Sequence, residues 1–121
     1  MATIGKITTP QPGRSFHTIW ETMTETDNVG EALTNPGASD RSVHLLGTVG
    51  GATILIEGSN VLVPSSDTDW FTLHDENGDV LSFTAVDDGH AISENVLHYR
   101  PRLTSGSGVD IDIIIFSRST M

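Results

Sequence analysis

Residues 51–59 read Gly-Ala-Thr-Ile-Leu-Ile-Glu-Gly-Ser, and this stretch narrows the possible folds more than any other part of the chain. Strand side chains alternate between faces, so Ile54 and Ile56 point one way while Thr53, Leu55 and Glu57 point the other. Being mostly apolar on both faces, the run is expected to be an interior strand of a packed sheet, not an edge. Gly58-Ser59-Asn60 stops it, and an acidic loop to Asp69 returns the chain so that Trp70-Phe71-Thr72-Leu73 rejoins the core.

The rest of the chain repeats short strand, polar turn, short strand. Residues 15–24 alternate Phe16, Thr18, Trp20 and Thr22 against His17, Ile19, Glu21 and Met23, which suits a half-buried strand. Residues 25–40 have no period and read as a long loop. Residues 41–49 alternate again, and Gly50-Gly51 predicts a tight hairpin reversal into the 51–59 strand. A second hairpin is expected from 70–73 and 80–85 around His74-Asp75-Glu76-Asn77-Gly78-Asp79, whose Asn, Asp and Gly suit a turn. Residues 87–95 are expected to form the one short helix. Pro101 interrupts the strand at 96–103 and predicts a bulge or an edge position. Along 109–116, Val109, Ile111, Ile113 and Ile115 share one face, with Asp110, Asp112, Ile114 and Phe116 opposite. That strand is expected near a sheet edge, ending against another chain.

About seven or eight strands with turns every 8 to 15 residues or so point to an all-β, single-domain β-sandwich of the jelly-roll type over residues 15–121. Residues 1–14, with Pro10, Pro12, Gly13 and Arg14, are expected to form an extended N-terminal arm lying on a neighbouring subunit.

A chain of 121 residues is long enough to bury a core without a metal or a disulfide. Zero cysteines remove disulfides, thiolate metal sites and thiol nucleophiles together. Sixteen acidic against six basic residues give a formal charge of −10, a field that repels polyphosphate backbones, so nucleic acid is not an expected partner. Arg100, Arg102 and Arg118 are too few to make a basic patch. The N-terminal residues lack the apolar segment of a secretory signal, and no run approaches the ~20 apolar residues that span a bilayer. The expectation is a soluble protein, made in the cytoplasm and not partnered with a membrane.

Motifs for chemistry are absent. Asp75-Glu76-Asn77-Gly78-Asp79 superficially resembles a calcium loop, but Gly stands fourth where an EF-hand needs it sixth, and Val86 stands where its twelfth-position Glu should be. A hairpin turn explains these residues without a cation. Asp67, Asp69, Asp87 and Asp88 form an acidic cluster only if their loops meet, and solvated surface accounts for them better. His17, His44, His74, His90 and His98 show no metal-ligand spacing. No serine sits in a nucleophile elbow, and Glu57 with Glu94 is an arbitrary carboxylate pair. No catalytic residue, cofactor or metal site is assigned, and the protein is not expected to be an enzyme. Trp70, beside Phe71 and Leu73, is expected in the core. Trp20, in a Thr-rich strand near the arm, is the better candidate for an exposed interface.

Four segments carry a resemblance. Ile54-Leu55-Ile56-Glu57-Gly58-Ser59-Asn60, Asp69-Trp70-Phe71-Thr72-Leu73, Gly78-Asp79-Val80-Leu81-Ser82-Phe83-Thr84 and Tyr99-Arg100-Pro101-Arg102-Leu103 together resemble the capsid decoration, or cement, proteins of tailed bacteriophages. The resemblance covers residues 45–117. It implies a β-sandwich or jelly roll on the outer capsid surface, a symmetric oligomer (a homotrimer before a dimer), and binding to the major capsid protein without catalysis. Pro10, Pro12, Arg14, Phe16, Trp20, Ile114 and Phe116 are the expected interface. The Glu-Gly-Ser-Asn segment followed by Trp is also similar to discoidin-like sugar- or lipid-binding sandwiches, although Val61–Ser66 stands where those have a tight turn. That similarity implies the alternative, a carbohydrate-binding module of a tail or host-recognition component.

Overall fold

The computed structural model describes residues 3–34, 39–86 and 89–119. In chain order the strands are β1 (Thr3–Ile4), β2 (Lys6–Gln11), β3 (Ser15–Met23), β4 (Val29–Gly30), β5 (Leu33–Thr34), β6 (Asp40–Thr48) and β7 (Thr53–Ser59). A 3₁₀ turn at Asp67–Asp69 follows, and then β8 (Phe71–Thr72), β9 (Ser82–Phe83), β10 (His90–Ala91), β11 (His98–Thr104) and β12 (Asp110–Arg118). Among the described residues no helix is long and apolar enough to cross a membrane.

These strands form two sheets. One runs β1-β4-β11-β7-β8, with β5 also on β11 and β9 also on β7; the other runs β10-β6-β12-β3-β2. Ladders are antiparallel except for the short β1–β4 pair. The inner faces share one apolar core, in which Ile54 and Ile56 join Ile111, Ile113 and Ile115, with Trp20, Val43, Leu45, Tyr99 and Leu103. The protein is thus an all-β, two-sheet sandwich. Arg41 of β6 reaches across it, its guanidinium 4.1 Å from the centre of the Tyr99 ring on β11.

The 51–59 stretch is the interior strand its two-sided apolarity predicts, flanked by β11 on one side and by β8 and β9 on the other. The 70–85 hairpin is also present, held by Leu81 N–H to Leu73 O (2.8 Å) and Asp75 N–H to Asp79 O (2.8 Å). The reversal at Gly50-Gly51 is tight, with both residues at positive φ and Ala52 N–H donating to Val49 O. It is not a hairpin, however. β6 and β7 lie in different sheets, so the turn carries the chain across the sandwich.

Several expectations are corrected. The helix at 87–95 is replaced, over the described residues from Gly89 onward, by the short strand β10 and irregular chain; Asp87 and Asp88 lie outside the described residues. Ile92 N–H instead donates to Arg41 O, which draws this segment against β6. The 25–40 loop contains β4 and β5. β12 is the middle strand of its sheet, not an edge, since β6 and β3 pair with it on either side.

Pro101 is likewise interior. It lies in β11 at a place where β5 has paired with His98 and Tyr99 and β4 has yet to pair with Arg102, so no ladder partner misses its N–H on that side. Its ring presses on Gly30, where an added Cβ would stand 2.5 Å from Pro101 Cδ and 2.8 Å from Trp20 Nε1. That close approach, not a turn, is why residue 30 carries no side chain.

The described part of the N-terminal arm, residues 3–14, is not a free extension. β2 pairs along its whole length with β3, from Lys6 opposite Trp20 to Gln11 opposite Ser15, and forms the outer edge of this chain's own sheet. Alternation in β3 also breaks. Trp20 lies opposite Ile113 and Met23 opposite Ile111, so Glu21 and Thr22 form a bulge, with Thr22 at φ 57° and its N–H donating to Asp112 Oδ1 at 2.8 Å. The extra residue turns both Trp20 and Met23 inward.

Candidate functional site

The bulge decides the position of Trp20. Expected at an exposed interface, its indole is instead fully buried (0% exposed), with Nε1–H donating to Glu31 O at 3.0 Å. Trp20 is therefore removed from the expected contact surface. The other expected interface residues collect on one sheet. Pro10 and Phe16 pair across the β2–β3 hairpin; Pro12 and Arg14 occupy its turn, and the Pro12 carbonyl accepts from Ser15 Oγ. Pro10, Pro12 and Arg14 are exposed and Phe16 is half-buried. Ile114 and Phe116 lie on the outer face of β12, the face turned away from the core.

That outer face carries a surface larger than the two residues expected on it. Register places Ile7, Ile19 and Ile114 in one cross-strand row over β2, β3 and β12, continued by His44 on β6. The next row is Thr9, His17, Phe116 and Ser42, and Leu46 lies opposite Asp112 on the other side. Ile7 is 53%, Leu46 44% and Phe116 39% exposed. An apolar row across three strands, open to solvent, is the kind of patch that marks a protein contact. Ile7 and Leu46 escaped the sequence reading because their neighbours in this row come from other strands.

A second feature lies on the other sheet. Glu57, 4% exposed, accepts from Arg100 Nε (2.9 Å), and from Arg102 Nε (3.1 Å) and Nη2 (3.0 Å). Its direct cross-strand neighbour is Arg100. Arg100 Nη2 also donates to Asp67 at 3.0 Å, and its guanidinium lies 4.3 Å from the centre of the Trp70 ring. The hydrogen bond from Arg102 to Glu57 raises the arginine's pKa further. The network borders an open groove of about 380 Å³ lined in part by Glu31, Ser65, Ser66, Asp67, Trp70 and Arg100. Its rim is hydrogen-bonded: Asp69 accepts the amides of Ser65 and Ser66, which lower its pKa in that order, while the Lys6 amide, followed by the Lys6 side chain, lowers that of Glu31. Trp70 is half-buried, so it belongs to the groove wall as well as to the body.

The two glutamates of the carboxylate pair have separate partners. Glu57 is taken by two arginines, while Glu94 accepts from His74 N–H (2.8 Å) and lies 2.6 Å from His74 Nδ1. Asp67 pairs with Arg100 and Asp69 caps its own turn, so these two acids serve separate partners. His98 is held between Thr34 Oγ1 and Leu62 O. Ser105–Gly108 is a turn whose Gly108 N–H and Val109 N–H donate to Glu25. His90, one of the scattered histidines of the sequence, stands beside Asp75 and Glu76.

No family model and no curated protein matches the chain. Among solved structures, the chain is similar to a cleaved adhesin domain of Lys-gingipain from Porphyromonas gingivalis. The TM-score is 0.46 at 8% identity, covering 98% of this chain and 85% of that one. A likeness of that size carries no argument about what this chain does.

Proposed function

We propose that the protein is a non-catalytic virion component that decorates a tailed-phage capsid, offering the outer face of the β10-β6-β12-β3-β2 sheet to the major capsid protein or to its own copies. The observation that carries this reading is the solvent-open row Ile7–Ile19–Ile114 with Phe116 and Leu46 beside it. An apolar surface of this kind suits a protein partner, and repetition around a symmetry axis would multiply weak single contacts by avidity. The four-segment resemblance to cement proteins supplies the capsid and the homotrimer.

The jelly-roll form is part of the same proposal. Taking β4 with β5 and β8 with β9 as single strands, and leaving the N-terminal β1 and β2 aside, gives eight, arranged β3-β12-β6-β10 in one sheet and β4/β5-β11-β7-β8/β9 in the other. That is the order of two interlocked Greek keys, and it supports a jelly roll with β2 added at one edge. Mixing purified protein with phage heads that lack it, then sedimenting, tests the function. Saturable co-sedimentation is expected, and protein left wholly in the supernatant would contradict it.

The groove beside Trp70 favours a second reading, a carbohydrate-binding module. A concave wall of one indole with carboxylates, hydroxyls and a guanidinium suits sugar hydroxyls. Arg100 already occupies one face of the Trp70 ring, leaving less of it for stacking. Glycan titration followed by Trp fluorescence separates the readings: decoration predicts no saturable change, and a sugar module predicts one lost on Asp67→Ala.

A further inference from the structure

Ile7-Thr8-Thr9 is a β-branched run set between a lysine, Lys6, and a proline, Pro10. Such residues favour strands, and on a free edge they are a template for pairing with another chain. Here they lie in β2 (Lys6–Gln11), the outer strand of the β10-β6-β12-β3-β2 sheet, which pairs with β3 on one side only. Backbone groups of an antiparallel strand turn to alternate sides from one residue to the next. Lys6 N–H faces away from β3, since it donates to Glu31 Oε1 at 3.1 Å, so Thr8 and Pro10 also present their backbone to the open side.

Of the three positions that could donate to an added strand, Lys6, Thr8 and Pro10, two are closed. Lys6 N–H is held by Glu31, whose other oxygen lies 3.2 Å from Lys6 Nζ. Pro10 has no N–H. Thr8 keeps the one donor with no partner among the described residues. Glu31 is set for this task because its own backbone is hydrogen-bonded on both sides. Its N–H donates to Ile4 O at 2.9 Å, and its carbonyl accepts Trp20 Nε1–H at 3.0 Å. The opposite edge of the same sheet is closed in the same way. Ile92 N–H turns toward β6 and donates to Arg41 O, so Ala91 N–H faces outward, where Glu76 Oε2 accepts it at 3.2 Å. A carboxylate on an outward amide occupies the place of a neighbouring strand, and it sets a charge that a like-charged copy must approach.

We propose that Glu31, together with Pro10, guards the free edge of β2 against strand addition, so that contacts between copies are confined to the outer face of the sheet. The guard is a device of the fold and holds whatever partner that face meets.

The test is made in the Phe116→Lys background, which blunts the outer face at a position on the middle strand, away from both edges. Glu31→Ala releases Lys6 N–H, and Pro10→Thr supplies the missing donor. Both positions are exposed, and thermal unfolding should stay cooperative. After agitation at equal concentration, the chain with both changes should give at least about tenfold more sedimentable, thioflavin-positive material than the background. Pro10→Thr alone should give an intermediate amount. The Thr8 amide should exchange freely in the background and gain protection with rising protein concentration in the doubly changed chain. Glu31→Gln, which keeps an acceptor for Lys6 N–H, should associate less than Glu31→Ala when each is combined with Pro10→Thr. Glu21→Ala with Pro10→Thr removes one exposed charge without releasing Lys6, and should match Pro10→Thr alone. Solubility of the doubly changed chain equal to the background, or association with no protection at Thr8, would overturn the guard. Association of the Glu21→Ala chain as strong as that of Glu31→Ala would do the same.

Discussion

At the scale of single residues, side chains that alternation alone misplaces carry the argument. Trp20→Ala should cost about 3–5 kcal/mol of folding stability in denaturant titration, as expected for a buried aromatic rather than a contact-surface one. Thr22 is β-branched at φ 57°, a conformation such residues rarely adopt. Replacing it with Asn, which tolerates that region, should therefore stabilise the fold by about 0.5–1 kcal/mol. Gly30→Ala should destabilise by about 1–3 kcal/mol, because Pro101 Cδ at 2.5 Å leaves no room for the methyl. Removing the Glu57 carboxylate by Glu57→Ala leaves Arg100, whose side chain is 10% exposed, with the exposed Asp67 in place of its buried partner, and should cost about 2 kcal/mol by the same measurement.

At the scale of elements, what could be read in advance follows the reach of each physical rule. Alternation along Ile54–Ile56 and Ile111–Ile115 is a local property, so both inner faces were legible. Turn chemistry at Asn77-Gly78 placed the second hairpin for the same reason. Gly50-Gly51 was legible as a turn but not as a passage between sheets, because a tight reversal does not say which sheet receives the next strand. The bulge at Glu21-Thr22 depends on Asp112, some ninety positions away, and Glu57 meets Arg100 only once β7 and β11 are in register. An acidic start followed by Ala91-Ile92 suggested a helix over 87–95, yet the Arg41 carbonyl takes the Ile92 N–H and draws the described part of this segment against β6. Pro10 and Pro12 suggested a loose arm, but edge strands tolerate proline, and β2 is such an edge.

Loop anchoring gives a prediction at the same scale. The pKa values of Glu25, Glu31 and Asp69 are lowered by backbone amides: its own and then that of Gly108 for Glu25, that of Lys6 for Glu31, and that of Ser65 for Asp69. A carboxylate with a folded pKa below its unfolded one adds stability that is complete above the unfolded value. That stability is lost as pH falls through the folded value. Denaturant midpoints should therefore hold down to about pH 4.5 and decline below it. Protection factors at the Ser65, Ser66 and Gly108 amides, corrected for the intrinsic exchange rate at each pH, should fall over the same acid range, whereas protection that stays flat would remove these anchors from the account.

For the whole molecule, a core shared by two sheets leaves the outer faces to do different things. One is crossed by ion pairs around Glu57 and bears the groove; the other is crossed by aliphatic side chains that this chain leaves open. The central claim is that the second face is a contact surface, and the double variant Ile7→Lys, Phe116→Lys tests it most directly. Both residues are exposed, so folding stability should stay within about 0.5 kcal/mol of the parent. Sedimentation with phage heads that lack the protein should then show loss of binding in a variant that is otherwise intact. Undiminished co-sedimentation of that variant would contradict the claim.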